Sequence, residues 1–175
     1  NRTHGLASLG VQRSPPWEDL WAGAASELEA RVDSLSVQQL SNSAWAFAKG
    51  RYAAAPLFES LGARIAAAAG AAPAAGAQAD PEALQPQGVA NTAWAFATAG
   101  VEAPSLFDAL AAHAQPHLGA FRSQELSTLA WAFAKAGHGA PALFEQLAAD
   151  ALPRLDDFAP QGMANTAWAF ATAGH

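Results

Sequence analysis

Apolar residues recur in this chain at helical spacing. Leu40, Ala44, Phe47 and Ala48 fall at i, i+4, i+7 and i+8, which is one face of an α-helix. The alanines around them favour helix further. The pattern also returns: Ala-Trp-Ala-Phe begins at Ala44, Ala93, Ala130 and Ala167. The last two intervals are 37 residues, and the first, at 49, is the same unit with an insertion of 12. Gln87 to Gly100 matches Gln161 to Gly174 almost letter for letter, and Gln38 to Gly50 and Gln124 to Gly137 are looser copies. We call this segment helix A.

The ends of helix A carry their own signals. Ser36 with Gln39 reads as a capping box. Pro86 and Pro160 suit a first helical turn, whose N–H groups have no helical partner. Gly100, Gly137 and Gly174 suit a left-handed C-cap. A second segment, helix B, opens near Pro56, Pro104 and Pro141. Its apolar positions Leu106, Phe107, Leu110, Ala111 and Ala114 recur as Leu143, Phe144, Leu147, Ala148 and Ala151, and as Leu57, Phe58, Leu61 and Ile65. The N-terminal copy has Leu20, Trp21, Ala24 and Leu28. Pro116 and Pro153 should end or kink helix B. A residue of the Leu155 or Phe158 type then leads into the next helix A.

One such hairpin cannot bury its apolar face alone, whereas stacked neighbours can. The predicted fold class is therefore all-α, an α-solenoid of stacked helix-turn-helix repeats with a period of about 37 residues. The expected layout is a single array over residues 1–175. It has a partial repeat at 1–50, a repeat at 51–100 and further repeats at 101–137 and 138–175. The second repeat carries an Ala/Gly/Pro-rich insertion near 66–80. Trp45, Trp94, Trp131 and Trp168 are large enough to bridge repeats, and the sequence reading assigns them to the core. The tract from Ala66 to Ala79 reads as a flexible loop, too broken and weakly hydrophobic to span a bilayer. Ending where a helix A finishes, without a matching helix B, the chain reads as a piece of a longer array.

Composition narrows the function. With no cysteine, disulfides and thiolate metal sites are excluded. The net charge of −6 is unusual for a nucleic-acid binder. Its distribution changes that picture: within the four helix A segments the only acid is Glu125, beside Lys49 and Lys135. The remaining carboxylates, among them Glu59, Asp108, Glu145 and Asp150, belong to helix B or to loops. A binding surface lined by helix A would keep most negative charge away from a ligand.

No catalytic constellation stands out: there is no phosphate-cradling glycine loop, no nucleophile elbow and no paired carboxylates on a cleft. The expectation is a protein that is not an enzyme and needs no cofactor. His113 and His117 have the i, i+4 spacing of metal ligands, but Pro116 interrupts the helix between them and no third ligand is evident. Asn1-Arg2-Thr3 fits a glycosylation acceptor by chance.

Two polar columns inside helix A stand out. Asn42, Asn91, Thr128 and Asn165 share one, although Asn disfavours helix interiors. Such a column either ties adjacent repeats together or hydrogen-bonds a base edge or ribose. The next column holds Ser43, Thr92, Leu129 and Thr166. Seven residues after the Asn come Lys49, Thr98, Lys135 and Thr172, a position that varies between copies. Repeat-wise RNA readers place variable polar residues on a fixed frame. Lys near a helix C-terminus also simply complements the helix dipole. The candidate RNA-binding residues are thus Asn42, Lys49, Asn91, Thr98, Thr128, Lys135, Asn165 and Thr172.

The unit from Pro141 to Gly174 resembles an octotricopeptide repeat, and Ser14-Pro15-Pro16-Trp17-Glu18-Asp19-Leu20-Trp21 is similar to the proline-rich signature of those repeats. Related arrays occur in FAST-kinase-like proteins with a terminal RAP domain and in the RNA-editing substrate-binding complex of mitochondria. The resemblance covers nearly the whole chain outside Ala66 to Asp80. It implies an organellar RNA-binding α-solenoid, in chloroplast or mitochondrion, acting in transcript processing, stability, translation or editing. The implied partners are single-stranded RNA and other proteins of an RNA-processing complex, with no membrane. The competing expectation is a protein-binding scaffold of the same architecture, suggested by the acidic balance.

Overall fold

A computed structural model describes residues 15–70 and 84–174. Among them it is all-α, with no strand. Eight α-helices follow in order: α1 Pro15–Arg31, α2 Val37–Lys49, α3 Ala55–Ala69, α4 Pro86–Ala99, α5 Pro104–Ala114, α6 Ser123–Ala136, α7 Pro141–Ala151 and α8 Pro160–Ala173. Short 3-10 turns, η1 Val32–Ser34, η2 Gln115–Ala120 and η3 Leu152–Asp157, follow α1, α5 and α7. The helix A segments are α2, α4, α6 and α8. They pack side by side in that order, α2 on α4, α4 on α6 and α6 on α8. The helix B segments lie behind them, with α1 on α3, α3 on α5, and α7 on η2.

The terminators expected from the sequence act at the expected positions. Ser36 Oγ accepts from the Gln39 N–H at 3.3 Å while Gln39 Oε1 accepts from the Ser36 N–H at 2.9 Å. Gly100, Gly137 and Gly174 have φ of 68°, 66° and 84°. In the first copy the left-handed residue falls in the same column, seven residues after the first Ala of the motif, but it is Arg51, with φ 55°. Helices α5 and α7 stop at Ala114 and Ala151, two residues before Pro116 and Pro153, and continue as 3-10 turns.

The layers are held together by phenylalanine rather than tryptophan. Phe58 of α3 meets Phe96 of α4 edge-on at 5.1 Å. Phe107 and Phe133 repeat this at 5.0 Å, and Phe144 and Phe170 at 5.2 Å. Trp21 takes the role of the first ring against Phe47, at 4.9 Å. Each pair joins a helix B to the helix A that follows it. Edge-to-face geometry contributes about 0.5–1.5 kcal/mol beyond the area such rings bury.

Between neighbouring helix A segments the contact is made by small residues. Ala93, Ala95, Ala130 and Ala132 are fully buried or nearly so. Thr92 Oγ1 donates to Ser41 Oγ at 3.0 Å, and Ser41 Oγ donates to the Gly88 carbonyl at 3.0 Å, tying α2 to α4. A Cβ at Gly88 would stand 2.9 Å from Leu84 Cδ1, four residues earlier, and in ordinary contact with Ser41 Oγ at 3.7 Å.

Three expectations are corrected. Trp45 and Trp168 are 40% and 45% exposed, and Trp94 and Trp131 only partly buried, so the tryptophans are not core. The reason is rotational: at 100° per residue Trp45 lies off the face set by Leu40, Ala44, Phe47 and Ala48. Ala66 to Ala69 are helical, the last turn of α3, capped by Gly70, with Ile65 and Ala69 buried. Residues 71–79 of that tract, like Asn1-Arg2-Thr3 and Ser14, lie outside the described residues. Leu20, expected on the apolar face of helix B, is 58% exposed; Leu155, which leads into α8, is 45% exposed. Leu118, the equivalent of Leu155 one repeat earlier, is buried where α7 packs on η2, whereas among the described residues no further helix B follows to pack on η3.

Candidate nucleic-acid interface

The eight candidate residues all lie on α2, α4, α6 and α8, and none is buried. In α2, Gln38, Asn42, Trp45 and Lys49 are exposed together, at i, i+4, i+7 and i+11. That spacing draws a single stripe down the outward side of the helix. The stripe repeats as Gln87, Asn91, Trp94 and Thr98 on α4, and as Gln124, Thr128, Trp131 and Lys135 on α6. On α8 it is Gln161, Asn165, Trp168 and Thr172. Because the four helices are neighbours, the stripes form one sheet of amides, hydroxyls, indoles and two ammonium groups. The sequence-derived set omits the glutamines and tryptophans. Their constant spacing from the Asn column is the signal that could have found them.

No stripe position carries a carboxylate. The one acid of the helix A segments, Glu125, is 7% exposed at the start of α6. Its oxygens accept from the Arg122 N–H at 2.8 Å and from Arg122 Nε at 2.9 Å. The carboxylate holds the Arg122 guanidinium above its ordinary pKa, chiefly through that hydrogen bond. Glu125 therefore caps α6, and its charge is neutralised locally. Lys49 Nζ lies 6.0 Å from the Trp45 ring centroid. Neither Lys49 nor Lys135 forms an ion pair among the described residues.

The structure gathers part of the candidate set. Asn42 and Asn91 line one cleft of about 330 Å³ between the N-terminal halves of α2 and α4, with Gln38, Gln85 and Gln87 around them. Neither Asn42 nor Asn91 has a side-chain hydrogen bond among the described residues. The tie between repeats that this column could have supplied is made by Ser41 and Thr92 instead. Asn165 Oδ1 accepts from Gln161 Nε2 at 3.1 Å. Thr128 Oγ1 donates to its own helix at the Gln124 carbonyl, 2.7 Å away, leaving only its lone pairs for a ligand. Lys135 opens onto a second cleft of about 320 Å³ at the C-terminal ends of α4 and α6, shared with Glu102 and His138. Thr172 lines the corresponding cleft one repeat on. Lys49 and Thr98 belong to neither group.

Elsewhere, titratable groups serve packing. His138 Nε2 pairs with Asp108 Oδ1 at 2.9 Å, and its ring stacks on Phe107. The His113 ring sits between two carbonyls, 3.3 Å from Ala69 O and 2.9 Å from Leu84 O, so it bridges the chain on either side of residues 70–83. Among the described residues no group of three His, Cys, Asp or Glu is placed to hold a metal. No described helix is long and apolar enough to cross a membrane.

Residues 82–175, more than half of the chain, match the family described as RNA-editing substrate-binding complex 6 protein. The chain belongs to that family. The match takes in α4 to α8 and so three of the four stripes. No curated protein matches the chain.

Proposed function

We propose that this member of the RNA-editing substrate-binding complex 6 family is an α-solenoid with a repeat of about 37 residues that binds single-stranded RNA through the outward side of α2, α4, α6 and α8. The observation that carries the reading is the acid-free stripe repeated on four adjacent helices. Amide side chains hydrogen-bond base edges and ribose, and lysines meet phosphates. The family description places RNA and an editing complex in the same name, which supports post-transcriptional RNA metabolism as the setting. An organellar location, chloroplast or mitochondrion, belongs to the same proposal through the octotricopeptide-type resemblance. The reading assigns the chain no catalytic step and no cofactor.

Fluorescence anisotropy with a labelled single-stranded oligoribonucleotide tests it. Saturable binding that falls with salt is expected, with a shallow slope because only Lys49 and Lys135 lie on the stripes. Binding no stronger than that of an unrelated acidic protein overturns it.

A second reading, a protein-binding scaffold, has its own observation. Leu152, Leu155, Met163 and Trp168, in η3 and the last described helix, are each exposed, at 72%, 45%, 45% and 45% respectively. Capture of proteins that resists ribonuclease treatment would favour that use of the molecule.

A further inference from the structure

Aromatic rings on the surface of a nucleic-acid binder serve most directly as seats for unstacked bases. Four tryptophans stand in the middle of the four stripes, but their spacing is not uniform. Trp45 and Trp94 have ring centroids 6.4 Å apart and are tilted by 38°. Trp131 and Trp168 repeat this arrangement at 6.3 Å and 35°. Among the described residues no ring contact joins Trp94 to Trp131, across the middle seam. The partners in each pair are tilted, neither stacked on one another nor set edge to face, and one ring of each pair, Trp45 or Trp168, is exposed.

We infer that each tryptophan pair is one base-stacking platform for single-stranded RNA, seated on the seam between two helices, so that two bases are held by four repeats. The inference rests on the RNA-binding reading above and gives it a geometry. Charge complementarity points to nucleic acid as the occupant: the stripes hold no carboxylate, and Lys49 stands over the Trp45 ring. One turn before Trp45 and Trp94, Asn42 and Asn91 line a cleft and have no side-chain hydrogen bond among the described residues. A base on Trp45 and Trp94 can present its edge to those amides. The α6/α8 platform differs: Thr128 and Asn165 both engage their own helices. The first platform is therefore the more sequence-selective, and the second accepts any base, since every base has a π face.

The test uses the full chain and three probes: oligoadenylate, oligouridylate and an abasic ribose-phosphate strand of equal length. Trp45→Ala or Trp94→Ala should weaken oligoadenylate binding by roughly 5- to 150-fold. The double variant should be no weaker than the worse single variant, because one platform is lost either way. Trp45→Ala with Trp131→Ala, taken from different platforms, should multiply. Trp45→Phe with Trp94→Phe should restore most binding, and the abasic strand should be indifferent to all of them. Thermal melting of each variant confirms that it is folded. If Lys49→Glu weakens binding while Trp45→Ala with Trp94→Ala does not, stacking is wrong and RNA binding stands. Equal weakening of the abasic strand, or multiplying effects within one pair, also overturns the platform. If the parent chain binds none of the probes, both readings fall, and a protein occupant for the stripe becomes the explanation.

Discussion

Phe107 meets Phe133 edge-on, with ring centroids 5.0 Å apart and planes at 85°. Both rings are almost completely buried, whereas Trp131, two residues before Phe133, is not. Truncation should separate these roles. Phe133→Ala is expected to cost about 3–5 kcal/mol of stability. Trp131→Ala should cost roughly half as much or less, since the ring gives up only part of its surface to the fold. Chemical denaturation of the two variants checks this. Equal losses would mean the tryptophan column is core after all.

Gly50 lies against an indole. A Cβ built there stands 2.5 Å from Trp21 Cζ2 and 3.3 Å from the Ala46 carbonyl. The ring is rigid and held by Phe47 and Tyr52, so it cannot yield by a small rotation. Gly50→Ala should destabilise the chain by about 1–3 kcal/mol through overpacking. The loss should come with a changed near-ultraviolet dichroism as α1 shifts from α2. An unchanged melting temperature would contradict the packing described at this end.

The left-handed caps offer a contrast. Gly100 has φ 68°, and a methyl group added there would meet nothing within 4 Å, so crowding plays no part. Gly100→Ala should still cost on the order of 1–2 kcal/mol, from backbone conformation alone. Gly100→Asn should cost less, because Asn tolerates this region. Thermal denaturation of both variants tests the ordering.

His113 holds Ala69 and Leu84 from a single ring. His113→Ala removes both contacts and should lower stability by about 1 kcal/mol. Hydrogen exchange should quicken in the last turn of α3 and the first turn of α4 and stay unchanged in α6 to α8. Uniform acceleration across the chain would show that the ring stabilises the whole stack.

Much of this architecture is readable from the chain because its signals are local. Proline at first turns, glycine at left-handed caps and the Leu57, Phe58, Leu61, Ile65 face each follow from one helix considered alone. Sequence reasoning fails where size or composition stands in for geometry. Bulk assigns Trp45 to the core, although its angular position places it beside the apolar face. The glycines and prolines that follow Ala66 to Ala69 draw those alanines into a loop, although alanine next to Ile65 extends the helix. A column groups Leu20 with the buried Leu57, Leu106 and Leu143, and a column does not record whether another helix covers it. Part of the candidate site is equally legible: the Asn and Lys/Thr columns lie on the outward side of their helices, and none of those residues is buried. The amide cleft is not, because it needs two helices set side by side, and neither helix specifies that seam by itself.

Ultraviolet cross-linking of single-stranded RNA to the intact chain, followed by peptide mapping, tests the central claim most directly. Adducts should concentrate on the outward stripes of α2, α4, α6 and α8, on Trp45, Trp94, Trp131, Trp168 and the lysines beside them. Adducts confined to α1, α3, α5 and α7 would place the nucleic acid on the acidic layer and contradict the account.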